Sequence, residues 1–121
     1  MKNTILIIED NADNMALIEE ILKDAGFYTV SMGRAEDGIE RLYKGGVDLI
    51  LMDISLPDMD GLEATRLIRA GNMLNRIPII GLSAHAMTQD KNAALAAGCD
   101  DYHTKPIDDE MLLQTMTRLL V

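Results

Sequence analysis

Five short apolar runs alternate with five helical patterns along the chain, and this alternation predicts a three-layer α/β domain. Two further observations support that class. The runs around residues 5–8, 49–52 and 79–82 are apolar throughout, as strands covered on both faces must be. Each run is followed by a helix-length crossover, which parallel strands require and hairpins do not. Right-handed crossovers then place helices on both faces of a parallel sheet.

The elements follow in order. "TILIIED" is a first strand that ends in the acids Glu9 and Asp10. Asn11 to Asn14 offer helix caps, and Met15, Leu17, Ile18, Ile21, Leu22 and Ala25 recur at helical spacing on one face. Gly26 stops that helix. "YTVSM" is a second strand, near an edge because polar residues interrupt it, and a second helix runs from Ala35 to Lys44 before Gly45 and Gly46. "DLILMD" is the third strand. A third helix covers Gly61 to Arg69, with Leu62, Thr65 and either Ile68 or Leu67 inward. "IPIIGLS" is the fourth strand, with Pro78 fit only for its start. The Ala-rich stretch Thr88 to Ala97 is a fourth helix, "DYHTK" a fifth and more polar strand, and Asp108 to Leu120 the last helix. Three acids, Asp108, Asp109 and Glu110, sit at the positive end of that helix.

The chain has 121 residues, the size of one domain, and neither repeat nor linker divides it, so 1–121 is expected to be a single unit. No apolar run is long enough for a membrane span or a signal peptide. The single cysteine, Cys99, excludes an internal disulfide and fits a reducing, cytoplasmic compartment. Twenty acidic residues against 11 basic ones give a net charge of −9. Such a surface repels nucleic-acid phosphates and favours cations and basic partner surfaces.

The strand ends carry the chemistry. Parallel strands share one C-terminal edge, where ligands bind at a reversal of strand order. In "LILMDISLPDMDG", four apolar residues run straight into Asp53. Strand one ends in Glu9 and Asp10, strand four in Ser83 and strand five in Lys105, followed by Pro106. Any one of these has an ordinary explanation, since acids begin loops and cap helices. Independent placement of all of them on one rim is improbable. Two carboxylates about 4 Å apart repel by roughly 4 kcal/mol at an effective dielectric of 20, and a hard divalent cation relieves this. Oxygen donors with no paired His or Cys favour Mg²⁺, with Mn²⁺ as an alternative, over Zn²⁺. Phosphoryl transfer needs positive charge around the phosphoryl oxygens, which Mg²⁺, Lys105 and the Ser83 hydroxyl would supply. Asp53 would then be the nucleophile.

The motifs "LIIEDN", "LILMDISLPDMDGLE", "PIIGLSAHAM" and "GCDDYHTKPI" occur in order, and together they resemble the receiver (response-regulator) domain of two-component phosphorelay signalling over essentially the whole chain. The resemblance implies a doubly wound flavodoxin-like fold of five parallel strands in the order 2-1-3-4-5, an order for which a chemotaxis regulator of this family is a standard example. It implies that Asp53 is the phosphoacceptor. Glu9 and Asp10 hold the metal with a backbone carbonyl from Ser55, although Asp is commoner than Glu at position 9. Lys105 grips the phosphoryl group and its bond to Pro106 is cis. Ser83 and Tyr102 are the switch pair, and Ala84 and His85 line the pocket rim.

Other residues are read plainly: His103 as a strand surface residue, Cys99 as a small packed residue, Met52 and Met116 as core. Asp100 and Asp101 are read as a turn, Asp58 and Asp60 as turn formers. The expected partners are a histidine kinase or histidine phosphotransfer protein upstream and a protein target downstream, with the chain a monomer or weak dimer. Met1 directly before the first strand favours a stand-alone regulator, while "SAHAM" also resembles receivers of hybrid kinases. An aspartate-nucleophile phosphatase would want a second acid at position 55, which is Ser. A flavin carrier would want aromatic residues, and the chain has no Trp and one Phe.

Overall fold

The computed structural model describes residues 2–54, 60–71, 76–84 and 88–120. The elements alternate as the sequence predicts: β1 (Thr4–Ile8), α1 (Ala12–Asp24), β2 (Tyr28–Met32), α2 (Ala35–Leu42), β3 (Leu49–Asp53), α3 (Gly61–Ala70), β4 (Ile79–Ser83), α4 (Thr88–Ala97), β5 (Asp101–Thr104) and α5 (Asp109–Leu119). All strand pairs are parallel and the sheet order is β2-β1-β3-β4-β5. This is the doubly wound order that the resemblance implies.

Side-chain alternation along the strands divides the core in two. Ile5, Ile7, Leu49, Leu51, Ile80 and Leu82 face one side, where they meet Ile18 and Leu22 of α1 and Leu112 and Met116 of α5. Leu6, Ile8, Ile50, Met52 and Ile79 face the other, where they meet Ala35 and Leu42 of α2, Ala64 and Ile68 of α3 and Ala94 of α4. The central strands β1, β3 and β4 are therefore buried on both faces, and their continuous apolar runs follow from that. The edge strand β2 is half-buried, which its interrupted pattern reflects.

The starts of α1, α3 and α5 are capped by local side chains, each satisfying an otherwise orphaned amide. The Asn11 side chain accepts from the Asn14 N–H at 2.9 Å, Asp60 from Leu62 at 2.7 Å and Asp108 from Met111 at 3.0 Å. Asp60 is thus a helix cap; Asp58 lies outside the described residues.

Some inward assignments need correction. Leu17 is 46% exposed, while Ile18 beside it is buried; of the two alternatives in α3, Ile68 is the inward one and Leu67 is 50% exposed. Ala25 is exposed and forms the C-cap of α1 rather than part of its apolar face. α2 ends at Leu42, two residues earlier than expected, where Tyr43 caps it. His103 is half-buried rather than superficial, because α5 covers that face of β5 and Thr115 Oγ1 lies 3.0 Å from His103 Nε2. Asp101 opens β5 and pairs with Arg118 at 2.6 Å, so the turn contains Asp100 alone.

The N-terminal edge of the sheet is closed by a device that the sequence does not announce. Arg69 Nε donates to the Gly98 carbonyl (2.8 Å), Nη1 to the Ile77 carbonyl (2.6 Å) and Nη2 to the Asp100 carboxylate (2.7 Å). The same Asp100 oxygen accepts the Ile79 N–H at 2.8 Å. The guanidinium therefore ties α3 to the entries of β4 and β5 and to the end of α4. Gly98, at φ +120°, lets the arginine stem lie against its backbone; a Cβ there would sit 2.6 Å from Arg69 Cγ.

Candidate metal and phosphoryl site

The strand register builds the site. Ile8 pairs with Met52, so one step further brings Glu9 level with Asp53. Asp53 pairs with Leu82 and Ser83 with Thr104, which sets Lys105 just past the end of β4. Alternation carries Glu9, Asp53 and Lys105 onto the α1/α5 face and Ser83 and Tyr102 onto the α2/α3/α4 face. The rim thus holds the charged groups on one side and the hydroxyl and aromatic pair on the other.

Glu9, Asp10 and Asp53 each place one carboxylate oxygen within 4.8 Å of the others. Glu9 is 2% exposed and Asp53 3%, whereas Asp10 is open to solvent. Lys105 Nζ lies 2.5 Å from Glu9 Oε1 and 3.5 Å from Asp53 Oδ2. The other Glu9 oxygen accepts the Asn11 N–H at 3.1 Å. Burial pushes the Glu9 carboxyl above its ordinary range; the Lys105 hydrogen bond pulls it down and the neighbouring Asp53 pushes it up. Three carboxylates against one ammonium leave the cluster short of positive charge, and its donors are all hard oxygens. Both properties fit Mg²⁺.

Backbone packing fixes the acceptor's place. Gly61 opens α3 so close to the end of β3 that a Cβ would sit 2.6 Å from Ile54 Cα and collide with the Asp53 carbonyl oxygen. The Gly61 N–H donates to the Ile54 carbonyl at 2.9 Å, and the Ile54 N–H to the Leu82 carbonyl at 2.9 Å. Only glycine fits this approach, so α3 and β4 together hold the strand end that carries Asp53.

Ser83 is 3% exposed at the end of β4, and its carbonyl accepts the Lys105 N–H at 2.7 Å. Ala84 follows it, exposed on the rim. The Lys105–Pro106 peptide bond is cis. Tyr102 is half-buried against the core beside Gly81, its partner in β4. Ser55 and His85 lie outside the described residues.

Cys99, just after α4, is buried between α3 and β4, where burial pushes its thiol up, and its sulfur lies 3.9 Å from Thr65 Oγ1. Sequence reasoning did not single out Arg69, and its only signal was a basic residue in the last turn of α3, which ordinarily reads as dipole pairing.

Comparison with known proteins agrees with this geometry. The chain is 36% identical over 117 residues to the sensor protein GacS of Pseudomonas syringae pv. syringae, covering 94% of this chain and 13% of that protein. It therefore spans about an eighth of the length of that relative. It is 32% identical over 120 residues to the polar-differentiation response regulator DivK of Brucella anthropi, covering 99% of this chain and 98% of that one.

Among solved structures, the receiver domain of sensor histidine kinase PA1611 from Pseudomonas aeruginosa superimposes with a TM-score of 0.92 at 35% identity, over 99% of this chain and 98% of that one. That structure holds a magnesium ion in its active-site cleft. The receiver domain of Saccharomyces cerevisiae Ssk1, crystallised with the histidine phosphotransfer protein Ypd1, gives a TM-score of 0.90 at 30% identity, over 98% of this chain and 88% of that one. No helix among the described residues is long and apolar enough to cross a membrane. Residues 5–117 match the response regulator receiver domain, and the chain belongs to that family of two-component signalling modules.

Proposed function

We propose that the chain is a phosphorylation-controlled switch, one receiver unit over residues 1–121, in which Asp53 takes a phosphoryl group from a phosphohistidine. The observation that carries this reading is the meeting of Glu9, Asp10 and Asp53 with the Lys105 ammonium on one sheet rim. An Asp53 oxygen bonds to phosphorus as the P–N bond to the donor imidazole breaks, and the leaving nitrogen takes a proton. Lys105, within 3.5 Å of Asp53, then faces the new phosphoryl oxygens and balances their charge. Glu9, Asp10 and Asp53, with the Ser55 carbonyl, would hold Mg²⁺ or Mn²⁺. The ion would supply the remaining positive charge at the equatorial oxygens. Water later attacks the phosphoaspartyl group and restores the carboxylate, so the chain catalyses only its own modification and its reversal.

The donor is a histidine kinase or a histidine phosphotransfer protein, as the partnership of the Ssk1 receiver with Ypd1 supports. Ser83 and Tyr102 share the sheet face that α4 covers, so a phosphoryl group drawing in the Ser83 hydroxyl would act on that face and on a downstream protein target. Differential affinity of the phosphoryl group for two states of this face sets the size of the response. The family resemblance would set Ala84 and His85 at the border of the pocket. The setting is cytoplasmic, with the chain a monomer or weak dimer.

The test is intact mass after incubation with Mg²⁺ and a small acyl phosphate. Wild type should gain one phosphoryl group, and Asp53→Asn, which keeps size but loses the nucleophile, should gain none. Equal labelling of both proteins would overturn the assignment.

A further inference from the structure

His103 is held by one edge of its ring. Its Nε2 lies 3.0 Å from Thr115 Oγ1, across the gap between β5 and α5. The Thr115 hydroxyl also lies 3.1 Å from the Met111 carbonyl, one turn back on its own helix. A hydroxyl has one proton to give. Given to the Met111 carbonyl, it leaves Thr115 Oγ1 to accept from the imidazole, and both contacts are satisfied. Neutral His103 therefore carries its proton on Nε2 and leaves Nδ1 bare. Among the described residues Nδ1 has neither a hydrogen bond nor an ion pair.

The charges around the ring are unequally engaged. Asp101, two residues back on β5, uses both oxygens, one for the Tyr102 N–H at 2.8 Å and one for Arg118 of α5 at 2.6 Å. Asp108 uses Oδ1 alone, which caps α5 at the Met111 N–H, and among the described residues its other oxygen has no partner. Asp108, His103 and Thr115 line one cleft of about 350 Å³ between β5 and the head of α5, with Tyr102 and, from α4, Lys91 also on its wall. We propose that His103 and Asp108 form a proton-operated clasp over this cleft: a proton taken up at Nδ1 makes the ring a double donor, and the free Asp108 oxygen closes on it. The ring keeps its Thr115 contact and Asp108 keeps its cap, so closure draws the head of α5 toward β5 and unmakes neither. Burial and Arg118 hold the imidazole below its ordinary range, against Asp101 and Asp108. Closure therefore belongs to mildly acid solution, where an aspartate is still ionised. Tyr102 shares the cleft, so acid would also confine the aromatic of the switch pair. That consequence rests on the switch proposed above; the clasp does not.

The experiment is NMR of the full chain, unphosphorylated and without metal, titrated from pH 8 to pH 5. Long-range ¹H–¹⁵N imidazole spectra should show the Nε2–H tautomer at the upper limit. As His103 takes up its proton, the Asp108–Met111 amides and the Tyr102 ring should shift with the same midpoint. Asp108→Asn keeps the cap, since Asn caps a helix as well as Asp, but removes the charge. In that variant His103 should titrate at lower pH and the α5 amides should cease to follow it. In Asp101→Asn those amides should still follow the ring. A neutral ring protonated at Nδ1 would overturn the clasp. So would a His103 midpoint unmoved by Asp108→Asn, or α5 amides that stay flat while the ring titrates. A Tyr102 ring that stays flat while the α5 amides follow would strike only the link to the switch. Because neither metal nor phosphoryl group is present, none of these results bears on the transfer to Asp53.

Discussion

The two edges of the sheet use the same kinds of side chain for opposite ends. At the N-terminal edge, Asp48 accepts the Thr4 N–H at 2.7 Å, and Asp100 accepts both the Ile79 N–H and the Arg69 guanidinium. Each of these acids meets donors supplied by the chain, and the result is closure of the strand entries. At the C-terminal edge, Glu9, Asp10 and Asp53 crowd one another, with Lys105 as the ammonium between Glu9 and Asp53. Glu9 and Asp53 are buried while Asp48 and Asp100 are exposed, but Asp10 is exposed too, so burial alone does not separate the functional acids from the structural ones. What the functional acids share is that they also meet one another.

Four measurements would break or sharpen this contrast. The largest effect belongs to Gly61→Ala at the functional edge. The added Cβ meets backbone atoms of Asp53 and Ile54 that cannot rotate away, so α3 or the end of β3 must shift. Overpacking of this kind costs about 1–3 kcal/mol, and the expected value is at the upper end, about 3 kcal/mol, in urea unfolding. Phosphoryl uptake should fall with it because Asp53 is displaced. An unfolding midpoint equal to wild type would show that the close approach is not restrictive.

Next comes Arg69→Ala at the structural edge. It leaves two carbonyls and the Asp100 carboxylate without the guanidinium, and the loss should be about 2 kcal/mol. Arg69→Lys should recover only part, since one ammonium cannot span three acceptors in different directions. Acyl-phosphate labelling of Asp53 should survive both changes. If labelling were lost while the fold persisted, the two edges would not be separable.

The third measurement compares Mg²⁺ with a monovalent salt at equal ionic strength. With an assumed affinity of about 1 mM, 10 mM Mg²⁺ should add roughly 1.4 kcal/mol to stability. Asp10→Asn should reduce that gain and, by relieving repulsion, raise stability in the absence of Mg²⁺. Asp100→Asn should leave the Mg²⁺ gain intact. A Mg²⁺ gain that followed Asp100 rather than Asp10 would reverse the contrast drawn here.

The smallest effect is a pH slope from His103. Burial lowers the pKa of its imidazole below 6.5, against the neighbouring Asp101 and Asp108 that raise it. The unfolded chain therefore takes up the proton first as pH falls. The contribution is complete above pH 6.5 and is lost as pH drops through the lowered folded value. His103→Gln should flatten the fall in unfolding midpoint between neutral pH and about pH 5. A slope unchanged by the substitution would place the titration elsewhere.

Much of this molecule is legible in its sequence because the signals are local. The continuous apolar runs of β1, β3 and β4 declare burial on both faces, and Asn11, Asp60 and Asp108 sit where helix starts need acceptors. The acids at the strand ends are visible because parallel strands must share an edge. Periodicity is less sharp than burial: a helical stripe wide enough to include Leu17 and Leu67 is wider than the contact that α1 and α3 make. Which neighbour each strand takes is not written locally either, and the order came from the family resemblance. Specific ion pairs over long separations are less legible. Arg69 reaches Asp100 across 31 residues, and neither residue alone signals the other. Lys105 reaches Glu9 across 96; the sequence sets both on one rim but does not announce their contact.

The division of the rim between two sheet faces has a further meaning. Asp53 and Ser83 end neighbouring strands, yet parity sends one toward α1 and α5 and the other toward α2, α3 and α4. A strand is in this sense a reading frame with a period of two. Inserting or deleting one residue within β4 would keep its apolar character, because all five of its residues are buried. It would still turn the serine to the wrong face. Such a chain could remain chemically competent and yet be mute, accepting the phosphoryl group on one face while the other never receives the message. Length variation among functional relatives should accordingly concentrate in the loops and spare the strand ends.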